Sequence, residues 1–197
     1  ILNSKIKFKN IYVSKRNKKN SNFLKNKSEK INIISNNQKI VNKSDWIFLA
    51  ITPSVGRKIL KDLNFKKNQT IISFISTIKL SELKKIIKIK NNIIRAIPLP
   101  PISLMKGPVP LYPSNRKVRA FFNKIGDSLE IKNEKLSLNL WATSSLMAPY
   151  YELLLEISRW LQKKGFKKKY AQKYVTSLFG ALSESAIDNS NKDLKIL

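Results

Sequence analysis

From Ile11 onward, short apolar runs alternate with polar stretches whose spacing fits helices. Ile11–Ser14 and Ile31–Ile34 predict short strands, with a helix over Lys18–Lys27 between them. The run Trp46–Ile51 is apolar without interruption and stops at Thr52-Pro53, as expected of a parallel strand buried on both faces. Val55, Ile59 and Leu63 then recur at helical spacing and predict a helix over Ser54–Leu63. Thr70–Ile75 and Leu80–Ile87 repeat the strand and the helix, and Ile93–Ile97 is a further strand halted by Pro98, Pro100 and Pro101. Such alternation predicts an α/β fold, a Rossmann-like parallel sheet with crossover helices.

Past Asn115 the texture changes. Arg116–Ile125 reads as a helix closed by Gly126, and Ser128–Ile131 as a short strand. Beyond Lys135 the pattern is helical, with a break expected near Pro149, a residue suited to a helix's opening turn. Lys164-Gly165 reads as a helix stop, and a last long helix is expected from about Lys167. Leu153, Leu154, Ile157, Trp160 and Leu161 make one apolar stripe, and Tyr170, Tyr174, Val175, Leu178 and Leu182 make another. A second copy of the chain is an economical cover for both stripes, so a homodimer or higher homo-oligomer is expected. We therefore expect two domains, 1–132 of Rossmann type and 133–197 all-helical. Because the sequence opens on Ile1 rather than methionine and its last residues mark no domain end, both ends are expected to continue in a longer reading frame.

Composition narrows the chemistry. Cysteine and histidine are both absent, which excludes disulfides, thiolate sites, a histidine base and the commonest metal ligands. No metal site is expected, and no residue is assigned a proton-transfer role. The formal charge of +27 invites a nucleic-acid reading. However, the cations are mostly lysine, spread along a chain also rich in isoleucine and asparagine, and no nucleic-acid-reading motif interrupts them. A basic nucleic-acid-binding protein is thus the lesser alternative. No apolar run is long enough to span a bilayer and no signal pattern opens the chain, so a cytoplasmic location is expected.

Two places carry candidate chemistry. Ser14-Lys15-Arg16-Asn17 follows the first strand, where dinucleotide folds meet the adenosine ribose. The turn holds no carboxylate, and Arg16 offers a planar fork to a 2′-phosphate; taken singly, an arginine in a turn is more often an ordinary solvated charge. Trp46–Ile51 followed by Thr52-Pro53 presents backbone at a strand's carboxyl end, where open α/β sheets bind ligands, although a plain core strand reads the same way.

Order and spacing add a resemblance. Asn37, Asp45 and Phe48–Pro53, then Ile72–Thr77, then Ile94–Pro100 with Gly107, then Ser145–Tyr151 follow one another as in the pyrroline-5-carboxylate reductase family, which the chain resembles from about residue 10 to 187. The resemblance implies an NADP-dependent oxidoreductase, with hydride passing from NADPH to 1-pyrroline-5-carboxylate, giving L-proline, or to a related small acid. It implies that Ser14, with Arg16 as neighbour, meets the 2′-phosphoribose. Asn37 and Ala50, Ile51, Thr52 and Pro53 would line the rest of the cofactor, and Ser76 would lie near the nicotinamide. Ser145, Leu146, Met147 and Ala148 would hold the substrate carboxylate at a helix N-terminus, where free amides favour an anion. The glycine-rich phosphate loop implied by the resemblance is expected to precede Ile1. The sequence departs from the family at Thr52 (lysine there), Leu99 (asparagine), Leu146 and Met147 (glycine and serine) and Leu154 (threonine). These departures raise a second reading, a noncatalytic paralogue that keeps fold and dimer.

Overall fold

The computed structural model describes residues 1–88 and 92–196. They divide into two compact units, Ile1–Ala142 and Thr143–Leu197.

In the first unit, β1 (Ile11–Ser14) and β2 (Ile31–Ile34) pair in parallel as a two-stranded sheet, joined by α1 (Lys18–Lys25). A second sheet has the order β3-β4-β5-β6-β7, from Trp46–Leu49, Thr70–Ser73, Asn92–Ala96, Pro108–Tyr112 and Asp127–Glu130. Its helices are α3 (Pro53–Ile59), α4 (Leu80–Ile87) and α5 (Arg116–Phe122), and α2 (Asn37–Lys43) leads from β2 to β3. The alternation read from the sequence is therefore present, with strands trimmed at their carboxyl ends. Ala50, for example, turns out of the strand, its amide bonding to Phe48 O at 3.1 Å.

Side-chain alternation sends the strands' two faces into separate cores. Ile47, Leu49, Ile71 and Ile93 meet Leu60, Leu83 and Ile87 on one side. Ile72, Ile94, Val109 and Leu111 meet Val118 and Phe122 on the other. Three layers result, helix on sheet on helix.

Three features differ from the expectations. Trp46 and Phe48 on β3 are half-buried, because β3 borders the larger sheet and pairs with β4 alone among the described strands. They gather with Phe74 and Phe121 into an aromatic group, with ring centroids 5.2 Å apart for Trp46–Phe121 and 5.7 Å for Phe48–Phe74. Next, β6 is a strand although Pro108 and Pro110 lie in it, and it runs antiparallel to β5, so the sheet is mostly rather than wholly parallel. The prolines fit because of where their missing donors fall. Gly107 and Leu111 accept from Asp127 and Ile131 on the β7 side, while Pro110 accepts from Ile97 on the β5 side. The β5–β6 ladder holds just Arg95–Tyr112 and Ala96–Leu111, so few donors are asked of the prolines.

The third difference concerns α6 (Glu134–Thr143). The last strand ends at Glu130, near the compositional boundary, but the compact units divide at 142/143 because α6 is tied back to the sheet domain through Glu134 and Ser137.

In the second unit, α7 (Met147–Lys163) and α8 (Lys168–Asp188) fold back on each other. Gly165, at φ 97°, makes the turn, with Gly165 N donating to Gln162 O and Phe166 N to Leu161 O. Small Ser158 and Ala171, with Val175, are buried in this unit. Much of the rest stays exposed, including Tyr151, Leu153, Trp160, Tyr170, Tyr174 and Leu182. No helix among the described residues is long and apolar enough to cross a membrane.

Candidate functional site

The expected cofactor residues of the first unit sit at or beside the carboxyl ends of parallel strands, except Asn37, which opens α2. Ser14 ends β1 and is exposed; its Oγ accepts from Arg16 N at 3.4 Å, and Lys15 N donates to Ile34 O. Asn17 then caps α1, its Oδ1 accepting from Asn20 N at 3.0 Å. These bonds fix the turn's backbone and leave the Arg16 side chain in solvent, surrounded in sequence by Lys15, Lys18 and Lys19. After β2, Asn36 caps α2 through Lys39 N, and half-buried Asn37 is the helix's first residue.

After β3, Thr52 has extended backbone and Pro53 takes the first helical position, where its missing N–H costs nothing. Thr52 O accepts from Gly56 N at 2.9 Å. Gly56 lets α3 approach closely: a Cβ there would stand 3.1 Å from Ile75 Cδ1. The turn after β4 is thereby packed from below, with Ile75 and Ile78 buried.

That turn holds a polar junction that sequence reading missed. Arg95, on β5, is 1% exposed. Its Nη2 donates to Ser76 O at 2.5 Å, and its Nη1 to Glu134 Oε1 at 2.7 Å and Ser137 Oγ at 3.4 Å. Glu134 Oε1 also accepts from Leu80 N at 2.6 Å, capping α4, whose own N-cap residue Lys79 supplies no side-chain bond. Arg95 Nε is buried without a partner among the described residues. An arginine interrupting the apolar run Ile93–Ile97 was the available signal, since a charge in a buried strand requires a partner.

In the second unit Ser145 and Leu146 are exposed, Met147 is half-buried and Ala148 is exposed. These residues flank the N-terminus of α7, as expected, but its opening is not a fully free end. A short 3-10 turn, Ser144–Leu146, carries α6 into α7, Leu146 is itself helical, and Met147 N already donates to Ser144 O. The break lies at 144–146, and Pro149 sits in the first turn of α7, as expected of a proline there. Among the described residues no acidic cluster could hold a metal ion.

Residues 1–77 match the family described as NADP oxidoreductase, coenzyme F420-dependent. No curated protein matches the chain. Among solved structures, a pyrroline carboxylate reductase from Plasmodium falciparum with NADP bound aligns at TM-score 0.80 and 19% identity, over 98% of this chain and 73% of that one. The 1-pyrroline-5-carboxylate reductase of Streptococcus pyogenes aligns at 0.75 and 19%, over 90% and 70%. A reductive aminase from Aspergillus terreus, in complex with NADPH and ethyl levulinate, aligns at 0.60 and 12%, over 91% and 69%. The chain therefore has the fold of the pyrroline-5-carboxylate reductases, and its first 77 residues are similar to an NADP oxidoreductase family.

Proposed function

We propose that the protein is an NADP-linked reductase that adds a hydride and a proton across the C=N bond of a cyclic imine acid, 1-pyrroline-5-carboxylate or a near relative, giving L-proline or its counterpart. The observation that carries this reading is the turn after β1: Ser14 and Arg16 at a strand end, with lysines around them and no carboxylate to hold a free ribose diol. When bound, NADPH supplies the hydride. Arg16 and Ser14 would hold the 2′-phosphate, and Asn37 and Ala50–Pro53 would line the cofactor further along. Ser76, half-buried three residues past the end of β4, would bound the nicotinamide. Ser145–Ala148 would orient the substrate carboxylate, and the apolar faces of α7 and α8 would be covered by a second copy of the chain.

The test is reduction of 1-pyrroline-5-carboxylate by the full-length protein, followed by NADPH absorbance, beside a binding titration of NADPH and NADH. Turnover with NADPH preferred supports the reading, and absence of binding to either cofactor overturns it. A second reading, a noncatalytic paralogue, is favoured by Leu146 and Met147 in the carboxylate loop and by the Met147 amide already engaged with Ser144 O. NADPH binding without turnover on any imine acid would select it.

A further inference from the structure

The least expected chemistry in the first unit is a cation buried where a strand, a turn and two helix starts meet. Arg95 lies opposite Ser73 in the β4–β5 register, so its side chain emerges beside the place where β4 gives way to the turn. From there it grips two elements at once, the Ser76 carbonyl and the Glu134 carboxylate, while Glu134 in turn receives the first amide of α4. A planar guanidinium suits this bridging task, since its donors diverge at fixed angles. Residues 74–79 are otherwise held by Phe74, whose N donates to Leu49 O and whose ring meets Phe48, by Ile75 N donating to Ser73 Oγ, by Lys79 O accepting from Leu83 N, and by buried Ile75 and Ile78. The carbonyl held by Arg95 belongs to the residue at the strand ends where a dinucleotide ring would rest.

We propose that Arg95 is a positioning residue, which through Ser76 O and Glu134 sets the shape of the 74–80 turn against which the nicotinamide is placed. The inference rests on the NADP reading for its consequence in catalysis, while the holding of the turn stands on the geometry alone. A bolt of this kind governs how the reacting atoms are aligned more than how tightly the distant phosphates bind, so its loss falls on kcat. A residue that merely stabilised the fold would lower the amount of active protein and leave the intrinsic parameters unchanged.

The experiment compares full-length wild type with Arg95→Lys, Arg95→Met and Glu134→Gln. It reads amide hydrogen exchange over residues 74–80 and, on the folded fraction, kcat, the KM for NADPH and the deuterium isotope effect with 4-deuterated NADPH. Exchange is expected to quicken in 74–80 ahead of the rest of the chain. Misplacement of this size is expected to lower kcat about ten- to a hundredfold, with KM for NADPH within about threefold and a larger isotope effect. Arg95→Lys should recover part of the loss, because one ammonium reaches one acceptor where the guanidinium reaches both. If Arg95→Met does not fold, Glu134→Gln decides, since its amide oxygen still caps Leu80 while the charge on Arg95 loses its counterpart. Unchanged exchange in 74–80, or a kcat loss that merely follows the folded fraction with an unaltered isotope effect, overturns the proposal. A wild type that binds no NADPH overturns the functional reading instead, and the exchange arm still decides whether Arg95 holds the turn.

Discussion

Arg95 and Glu134, on β5 and at the start of α6, meet with Nη1 2.7 Å from Oε1, the guanidinium 1% and the carboxylate side chain 19% exposed. The pair is shielded from water, and each partner has further bonds to make, Arg95 to Ser76 O and Glu134 to Leu80 N. Removing one partner strands a buried charge, whereas surface pairs give up little.

Glu134→Ala is accordingly expected to destabilise the protein by about 3–5 kcal/mol, measured by urea unfolding, because Arg95 is left charged and buried. Glu134→Gln should cost less, as its oxygen still accepts from Leu80 N. By contrast Glu82→Ala, which removes the partner of exposed Arg57, should leave the unfolding midpoint nearly unmoved.

Cofactor choice is expected to depend on Arg16. A charge-assisted bond from arginine to the 2′-phosphate contributes about 1.5–3 kcal/mol, which is roughly ten- to more than hundredfold in preference for NADPH over NADH. Arg16→Ala should remove most of that preference with NADH affinity little changed, read by fluorescence titration of both cofactors. Equal affinity of the wild type for both would mean that this turn does not recognise the phosphate.

The helical unit should associate. Leu153 is 48% and Trp160 57% exposed, and Ile157 and Leu161 are half-buried on the same stripe of α7. Apolar surface of that extent is costly in water and favours a second copy. Light scattering of the full-length protein at micromolar concentration should report a dimer or larger, and Trp160→Glu should shift it toward monomer. A wild-type monomer would end this expectation.

One pH effect can be placed on a single group. The Glu130 carboxyl is held below the usual carboxylate range, first by the hydrogen bond from the Ser114 hydroxyl and then by Arg119, 2.9 Å away. A depressed folded pKa means that the unfolded chain takes up the proton first. The contribution is therefore complete above the ordinary carboxylate value and lost as pH falls through the lowered folded value. Urea midpoints measured across the acidic range should decline less steeply for Glu130→Gln than for wild type, and because Glu130 keeps part of its surface in water the difference should be small. Identical slopes would remove Glu130 from the account.

Much of the fold was legible because strand and helix leave local marks. The run at Trp46, the alternating stripes of Leu153–Leu161 and the punctuation at Pro53 and Gly165 each depend on neighbours a few residues away. The candidate cofactor turn was legible for the same reason: Ser14 ends its strand, Arg16 follows two residues on, and the strand's end is where such sheets bind ligands.

What the sequence determined by itself, then, was the order of elements, the α/β half before the helical half, the absence of thiol and imidazole chemistry, and a cationic turn after β1. Tertiary structure alone decided the rest. The antiparallel step from β5 to β6 joins strands whose pairing no local period announces, and the prolines of β6 are tolerated just because their missing donors face a short ladder. The half-exposure of Trp46 and Phe48 depends on β3 lying at an edge. The run of helix through residues 144–146 left Met147 without a free amide. Arg95 and Glu134 are 39 residues apart in the chain. Their meeting follows from the sheet and α6 being packed together, and a charge buried in that way is stable only where folding brings its counterpart to it.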